Sequence, residues 1–276
     1  MTINSIAQNS LLNQMRNVER MHAAATERLA TGLRVNSASH DAVALAISER
    51  MRAQVNGMDM ASRNAQNGIS MIQTAEGGLS QLNEKLQRAR ELTVQAANGT
   101  NSDATRSILA NEISQIFKEI NSMADRVEFN GKKLLNGLSN VHLQVGANAN
   151  QSMSFNIGTM SVAGLGLSDV QAAAANGFSG MSGASIAAMV SNFDNALGAV
   201  ASERANLGAT QNRLEHTMRS LDTSSINLQS SMSRLIDADL ARSMVELTLA
   251  QILFKANLAV ISQANQKHQN IFVMVR

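Results

Sequence analysis

The side chains that could carry out chemistry are few and widely spaced in this sequence. Its 276 residues include no cysteine, which excludes a disulfide scaffold, a thiolate zinc site and a cysteine nucleophile. No two histidines have the HExxH spacing of a zinc hydrolase helix. The glycine-rich phosphate loop and the GxGxxG and GxSxG motifs are also missing. We therefore expect no enzymatic activity, no metal site and no cofactor.

Two acidic residues and one histidine nevertheless invite a chemical interpretation. Asp237 and Asp239 could form a metal-binding or acid–base pair, but residues two apart on a helix point in different directions. Arg234 lies three residues before Asp237 and could pair with it instead. His22 falls within an apolar heptad, where packing or an interface is a better explanation than metal ligation. All of these residues favour a structural role.

The composition indicates which elements must carry such a structure. Proline is absent, so very long helices are allowed. The aromatic residues are seven phenylalanines, whereas methionine occurs 16 times. An aliphatic, methionine-rich core suits helix packing better than a β-sandwich.

The charge content indicates a surface that is covered by other molecules. Charged residues make up 16% of the chain, against about 25% in a typical soluble domain. The formal net charge is +2, and no Lys/Arg run is dense enough to predict a nucleic-acid patch. The longest apolar run, Ala42–Ile47, is far shorter than the ~20 residues of a membrane span, so no membrane partner is expected. The first ten residues show no cleaved signal peptide.

Apolar heptads predict helices over most of the chain. One helix is expected around residues 11–29, and a second from Asp41 to about Ala97, with Ser37 or Ser39 as candidate caps. A third begins near Asp103, its candidate N-cap, and ends at Asn130-Gly131. The most regular heptad runs from Phe193 to Leu235, and a final helix follows a frame shift near 237–239.

The middle of the chain changes period. Val141, Leu143 and Val145 alternate with polar residues, as do Met153 and Phe155, which predicts a β-hairpin near 141–157. Residues 158–187 have little periodicity. The predicted fold class is mainly α: an elongated bundle of long coiled-coil helices with a small β-hairpin region.

The helices at the two ends have seams that must pack on each other or on other copies. The apolar residues from 271 to 275 form either a frayed end or a polymer contact, and we favour the contact because exposed apolar residues are a liability on a monomer. The residues predicted to support polymerisation are Leu11, Met15, Val18, Ala25, Leu29, Val245, Leu249, Ile252, Ala256, Ala259, Phe272 and Val275.

Two further segments allow alternative interpretations. Residues 86–92 read Leu-Gln-Arg-Ala-Arg-Glu-Leu and place Arg88 and Leu92 four residues apart, as either a solvated face with the leucine tucked inward or a recognition surface. Residues 36–42 are either a linker with a cap or a hinge between helical segments.

Several motifs together resemble those of bacterial flagellins at both ends of the chain. The N-terminal half contains Glu27-Arg-Leu-Ala-Thr-Gly-Leu-Arg-Val-Asn36 and Ala61-Ser-Arg-Asn-Ala-Gln-Asn-Gly-Ile-Ser70. It also contains the 86–92 segment and Phe129-Asn-Gly-Lys-Lys-Leu-Leu135. The C-terminal half contains Ser233-Arg-Leu-Ile-Asp-Ala-Asp239 and Gln263-Ala-Asn-Gln266. His40, Val43, Ala44, Leu249 and His268 depart from the usual family pattern.

The resemblance implies a structural subunit of the flagellar filament, outside the cell, in a minimal form without outer variable domains. Residues 1–40 and 236–276 would form the inner filament core, and 41–235 a helical rod domain with the hairpin. The implied partners are other copies of the chain, an export chaperone, cap and junction proteins, with secretion through the flagellar type III apparatus and no cleaved signal peptide. The alternative is a hook–filament junction protein, a relative that does not polymerise indefinitely.

The resemblance also implies recognition by a host Toll-like receptor that senses flagellin. Matching the motif places the receptor contacts on Arg88, Leu92 and Glu112. The turn near 98–103 is expected to fold the helix that carries Glu112 back beside Arg88.

Overall fold

A computed structural model gives the backbone of residues 2–274 and the side chains of residues 9–264 and 266. Over this range the chain forms long helices, as the heptads predict, and two small hairpins, of which the central alternation predicts the one near 141–157. The helices are α1 (Thr2–Thr31), α2 (Ala42–Ala97), α3 (Asp103–Arg126), α4 (Ser168–Ala175), α5 (Gly183–Ala188), α6 (Val190–Ile236) and α7 (Leu240–Met274). The strands are β1 (Glu128–Phe129), β2 (Lys132–Lys133), β3 (Val141–Gln144) and β4 (Ser152–Phe155).

The chain divides into two compact units. The central unit comprises residues 56–225, and the terminal unit comprises the residues up to Val55 and from Ile226 onward. Helix α2 contributes its first 14 residues, Ala42–Val55, to the terminal unit and the rest to the central unit.

The central unit has a continuous apolar core. The heptad residues of α2, α3 and α6 face inward, and the largest of them lose nearly all contact with solvent. The rings of Phe117 in α3 and Phe193 in α6 stack with their centroids 6.1 Å apart. Strands β3 and β4 pair antiparallel, with Val141 opposite Phe155 and Leu143 opposite Met153, which confirms the predicted hairpin. Fully buried core residues include Leu79, Leu82, Leu86, Ile113, Phe117, Ile120 and Phe193.

Both ends of the third predicted helix need correction. Helix α3 is capped by Ser102, whose hydroxyl accepts from the Thr105 amide, and not by Asp103, which is the first helical residue. The helix ends at Arg126. Asn130-Gly131 instead forms the turn between β1 and β2, where φ is 50° and 75° at its two residues. An Asn-Gly pair serves a helix end and a tight hairpin equally well, so the sequence could not distinguish them.

The weakly periodic region contains two short helices that the sequence did not predict. Helices α4 and α5 are rich in alanine and have only a few buried residues, such as Val170, Ala174 and Ile186. Short helices of this composition lack the repeated apolar spacing that marks the longer ones.

In the terminal unit, α1 packs against α7. The guanidinium of Arg28 near the end of α1 lies 3.0 Å from Glu246 near the start of α7. Earlier in α1, Glu19 and His22 share a cavity with Gln251 and Phe254. The two helices therefore run antiparallel.

The segment that follows α1 is hydrogen-bonded to the segment that connects α6 and α7. The amide of Arg34 donates to the Ile236 carbonyl at 2.6 Å, and the amide of Ala238 donates to the Gly32 carbonyl at 2.9 Å. Gly32 takes φ +70°, the left-handed conformation that ends α1. Asp41, not Ser37 or Ser39, caps α2, because its Oδ1 accepts from the amides of Val43 and Ala44. These bonds agree with the linker-and-cap interpretation of residues 36–42.

Candidate assembly and recognition surfaces

Helix α7 has two apolar faces. One faces α1 and contains Leu247, Ala250, Phe254 and Ile261, which are buried or half-buried. The other is exposed: Val245 retains 69% of its accessible surface, Ile252 retains 60% and Leu249 retains 48%. Isolated exposed apolar residues are ordinary, but a continuous face of them marks an interaction surface.

The exposed face is the seam that the sequence assigned to polymerisation. Its residues are spaced four and three apart, so they align along one side of the helix: Val245, Leu249, Ile252, Ala256 and Ala259. We call this set the outward face of α7. The structure adds Leu240, Met244, Leu253, Leu258 and Val260 as exposed apolar neighbours that the heptad did not include.

The residues of α1 that are predicted to support polymerisation are less exposed than the outward face of α7. Val18 and Ala25 are buried, and Leu11, Met15 and Leu29 are half-buried, all in the helix that packs on α7. Their side chains are therefore largely packed within the terminal unit of their own chain. Phe272 and Val275 lie outside the residues whose side chains are described, so their predicted role stays a prediction.

Within Leu240–Ala264 of α7, an 18-residue segment has a mean hydropathy of 1.5, and the helix is long and apolar enough to cross a membrane by length and composition alone. Only 6% of that segment is buried. Arg242, Glu246 and Lys255 interrupt the helix, so the length of its uninterrupted apolar runs does not reveal this property. The apolar face of α7 that α1 leaves exposed has the character of an interaction surface.

A charged cluster fixes the start of α7 against the end of α1. Glu246 accepts from Arg28 at 3.0 Å and from Arg242 at 3.3 Å. All three side chains are at least one-third exposed, so these ion pairs orient the helices more than they stabilise them.

A second candidate surface lies on the central unit, where α2 and α3 are adjacent. The Arg88 guanidinium lies 2.9 Å from Glu112 of α3 and 3.6 Å from Glu91. The hydrogen bond that the Arg88 guanidinium donates to Glu112 raises the pKa of Arg88 above its ordinary value, so Arg88 is fully charged at physiological pH. The structure thus brings together Arg88 and Glu112 as the turn near 98–103 predicts.

Leu92 does not share the exposed surface with Arg88. Its side chain retains 1% of its accessible area and belongs to the core beneath the helix. The inward position matches the interpretation in which the leucine is tucked inside. A partner could contact Arg88 and Glu112 directly, whereas Leu92 could only support the turn below them.

The remaining residues considered for chemistry are not assembled into a site. Asp237 accepts from the Ser233 hydroxyl, and Asp239 caps α7 by accepting from the Arg242 amide at 3.1 Å. His22 lines the small cavity beside α7. In the part of the chain that the structure describes, no three His, Asp or Glu side chains form a group that could hold a metal ion.

Comparisons with known proteins identify relatives of both ends of the chain. Residues 3–140 match the family model described as the bacterial flagellin N-terminal helical region, and residues 190–274 match the bacterial flagellin C-terminal helical region. The chain is 43% identical to the flagellin of Bacillus subtilis, covering 91% of each chain. It is 40% identical to the flagellar filament 33 kDa core protein of Treponema phagedenis, again covering 91% of each.

Among solved structures, the fold is similar to that of a putative flagellar hook-associated protein from Vibrio parahaemolyticus. The TM-score is 0.62, and the match covers 72% of this chain and 100% of the other. At 16% identity this likeness concerns the fold alone.

Proposed function

The chain belongs to the bacterial flagellin family, and from this premise we propose that it self-assembles through its terminal helices into the flagellar filament. It is a structural subunit of that filament and works outside the cell, in the bacterial flagellum, for swimming. Its relatives are structural proteins, which supports a role without catalysis. The central observation is the outward face of α7.

The outward face explains why the subunit polymerises. Burying the exposed parts of Val245, Leu249 and Ile252 removes apolar surface from water, at about 25 cal/mol per Å². The low overall charge fits a surface that is covered in the working state. The occupant we propose is the terminal unit of another copy, because one chain supplies one outward face and the filament supplies neighbours on all sides.

We further propose that residues 1–40 and 236–276 form the inner filament core and that residues 41–235 form the rod domain around it. The packing of α1 on α7 supports this division, since the two terminal helices belong to one compact unit.

Paired substitutions test the role of the outward face. Leu249→Ser with Ile252→Ser should abolish elongation of filament seeds while leaving the helical circular dichroism of the monomer intact. The matched control is Ile108→Ser on α3, which removes a comparable exposed side chain from the central unit. A double variant that elongates seeds at the wild-type rate would refute the proposal.

The hook–filament junction protein is the less favoured alternative. The relatives of known name at about 40% identity are flagellins and filament core proteins, whereas the hook-associated likeness rests on fold alone. A junction protein would stop after a short layer, so long filaments seen by electron microscopy after seeding would separate the two functions.

Before assembly, we propose, an export chaperone covers α7, and the chain leaves the cell through the flagellar type III apparatus. The exposed apolar surface of α7 supports the proposal of a chaperone, because the free chain would otherwise aggregate through that surface. Cap and junction proteins then contact the same terminal helices during assembly. Deleting the export apparatus should remove the protein from the medium while leaving it in the cell; continued release would refute this route.

The monomer is also proposed to bind a host flagellin-sensing Toll-like receptor through Arg88 and Glu112, with Leu92 supporting them from below. The exposure of the Arg88–Glu112 pair supports this site, because arginine at an accessible position is a frequent hot spot. Arg88→Ala should weaken activation of reporter cells by about tenfold or more. A tenfold loss of affinity corresponds to about 1.4 kcal/mol of binding free energy. The matched control is Arg90→Ala, which removes an exposed ion pair with Asp194. Equal potency of the two variants would refute the assignment.

A further inference from the structure

We propose that Met244 is a site of oxidation at which a peroxide switches off assembly. The inference rests on the proposed polymerising role of the outward face of α7. It adds a modification site, and therefore a means of regulation, to that surface.

Accessibility distinguishes Met244 from most methionines whose side chains the structure describes. Its side chain retains 56% of its accessible surface, whereas Met58, Met71 and Met123 are buried. The chain has no cysteine, so no thiol competes for the oxidant within the same molecule. In the absence of cysteine, methionine is the residue type of this chain that a peroxide oxidises most readily.

The surroundings of Met244 cannot accommodate a sulfoxide once they are covered. Met244 forms a shallow groove of about 330 Å³ with Val245, Thr248, Leu249 and Ile252. The aliphatic side chains have no hydrogen-bond donor, and the Thr248 hydroxyl already donates to the Met244 carbonyl at 2.8 Å. A sulfoxide oxygen, which is an acceptor, would find no donor among the groove side chains when another copy seals them.

The modification step balances with hydrogen peroxide as the named oxidant. The thioether sulfur attacks one peroxide oxygen, the O–O bond breaks and an S–O bond forms. The second oxygen leaves as water after proton transfer, so the sulfur is oxidised and the peroxide is reduced. Sulfoxide reductases reverse the change with a thiol as reductant.

The contrast with Met60 provides the control. Met60 lies on α2 in the central unit and retains 54% of its surface, so it should oxidise at a similar rate. Its oxidation leaves the outward face of α7 unchanged. Loss of assembly after peroxide treatment should therefore correlate with oxidation of Met244 and not with oxidation of Met60.

The experiment treats monomers with hydrogen peroxide, maps sulfoxides by peptide mass spectrometry and measures elongation from untreated seeds. Wild-type protein and Met60→Leu should lose elongation as Met244 sulfoxide accumulates, with a critical concentration raised about tenfold or more. Met244→Leu, a volume-conserving change, should keep elongating. Treatment with sulfoxide reductase should restore the wild type, and Met244→Gln should mimic oxidation without peroxide.

Equal sensitivity of Met244→Leu and the wild type would overturn the assignment, as would normal elongation of protein that carries sulfoxide at Met244. Failure of untreated wild-type monomer to extend seeds would instead overturn the proposed function, and this inference with it.

Discussion

The central and terminal units bury their apolar residues to very different extents. In the central unit, heptad residues such as Leu79, Leu82 and Ile113 are completely buried by their own chain. In the terminal unit, Val245 and Ile252 keep more than half of their surface exposed. The central unit therefore buries its core as a monomer, whereas the terminal unit is, in our proposal, completed by other copies. We therefore propose that the same type of heptad stabilises the fold in the central unit and drives assembly in the terminal unit.

The largest expected effect comes from removing α7. A chain that ends after Leu240 should form no filaments, because the outward face and the partner of α1 are both lost. The central unit retains its core, so the truncated protein should remain soluble and helical. Seeded elongation and circular dichroism measure the two properties, and filaments formed by the truncated protein would break the contrast between the units.

Single core substitutions should separate folding from assembly. Phe193→Ala removes one of two stacked rings from the central core and should lower the free energy of unfolding by about 3–5 kcal/mol. Leu249→Ala should change it by less than about 0.5 kcal/mol because the side chain is exposed in the monomer. Urea unfolding of monomers measures both. If Leu249→Ala costs as much as Phe193→Ala, the outward face is already packed in the monomer.

Two glycines of α2 test how closely the central unit is packed. At Gly57 a Cβ would lie 2.8 Å from the Cβ of Ala147, whereas at Gly77 it would meet open space. Gly77→Ala should stabilise the helix by up to about 1 kcal/mol. Gly57→Ala should be less stable than Gly77→Ala by about 1–3 kcal/mol, from overpacking. Equal thermal midpoints would mean that the hairpin turn moves away from α2 without cost.

The smallest expected effect concerns Glu203 of α6. Burial raises the pKa of this carboxyl, partly offset by a backbone hydrogen bond from Gly158, and its Oε1 has no partner. A carboxyl whose pKa is raised on folding destabilises the native state above that pKa, and the penalty disappears as pH falls through it.

Glu203→Gln should therefore stabilise the protein at pH 7, by less than about 1 kcal/mol because the site is partly exposed to solvent. The advantage should shrink toward acid pH, where the wild-type carboxyl is protonated. Thermal unfolding from pH 7 down to the carboxyl range measures it, with exposed Glu84→Gln as the control. An advantage independent of pH would exclude the electrostatic explanation.

The apolar faces of these helices could be predicted from the sequence, but which face of α7 is buried could not. Regular heptads such as Leu109, Ile113 and Ile120 have a single apolar face, so their spacing alone identifies the buried side. Helix α7 has apolar residues on two faces, and the spacing of Val245 and Leu249 is as regular as that of the buried face. Which of the two packs on α1 is decided by tertiary contacts.

The recognition surface shows the same limit at the level of a single residue. Spacing places Arg88 and Leu92 one helical turn apart, but it does not give their depth. The four-residue step turns the side chain by about 40° around the helix, from the exposed edge to the core. Tertiary packing, which places Leu92 in the core and Arg88 beside Glu112 of α3, decides between the two environments.

The most direct test of the central claim is the accessibility of the outward face before and after assembly. The chain has no cysteine, so Ala256→Cys introduces a single thiol on that face with little change in volume. Ala250→Cys, on the buried face of the same helix, is the matched control. Maleimide labelling should be fast for Ala256→Cys in the monomer and strongly suppressed in the filament, and slow for Ala250→Cys in both. Equally fast labelling of Ala256→Cys in monomer and filament would contradict the account.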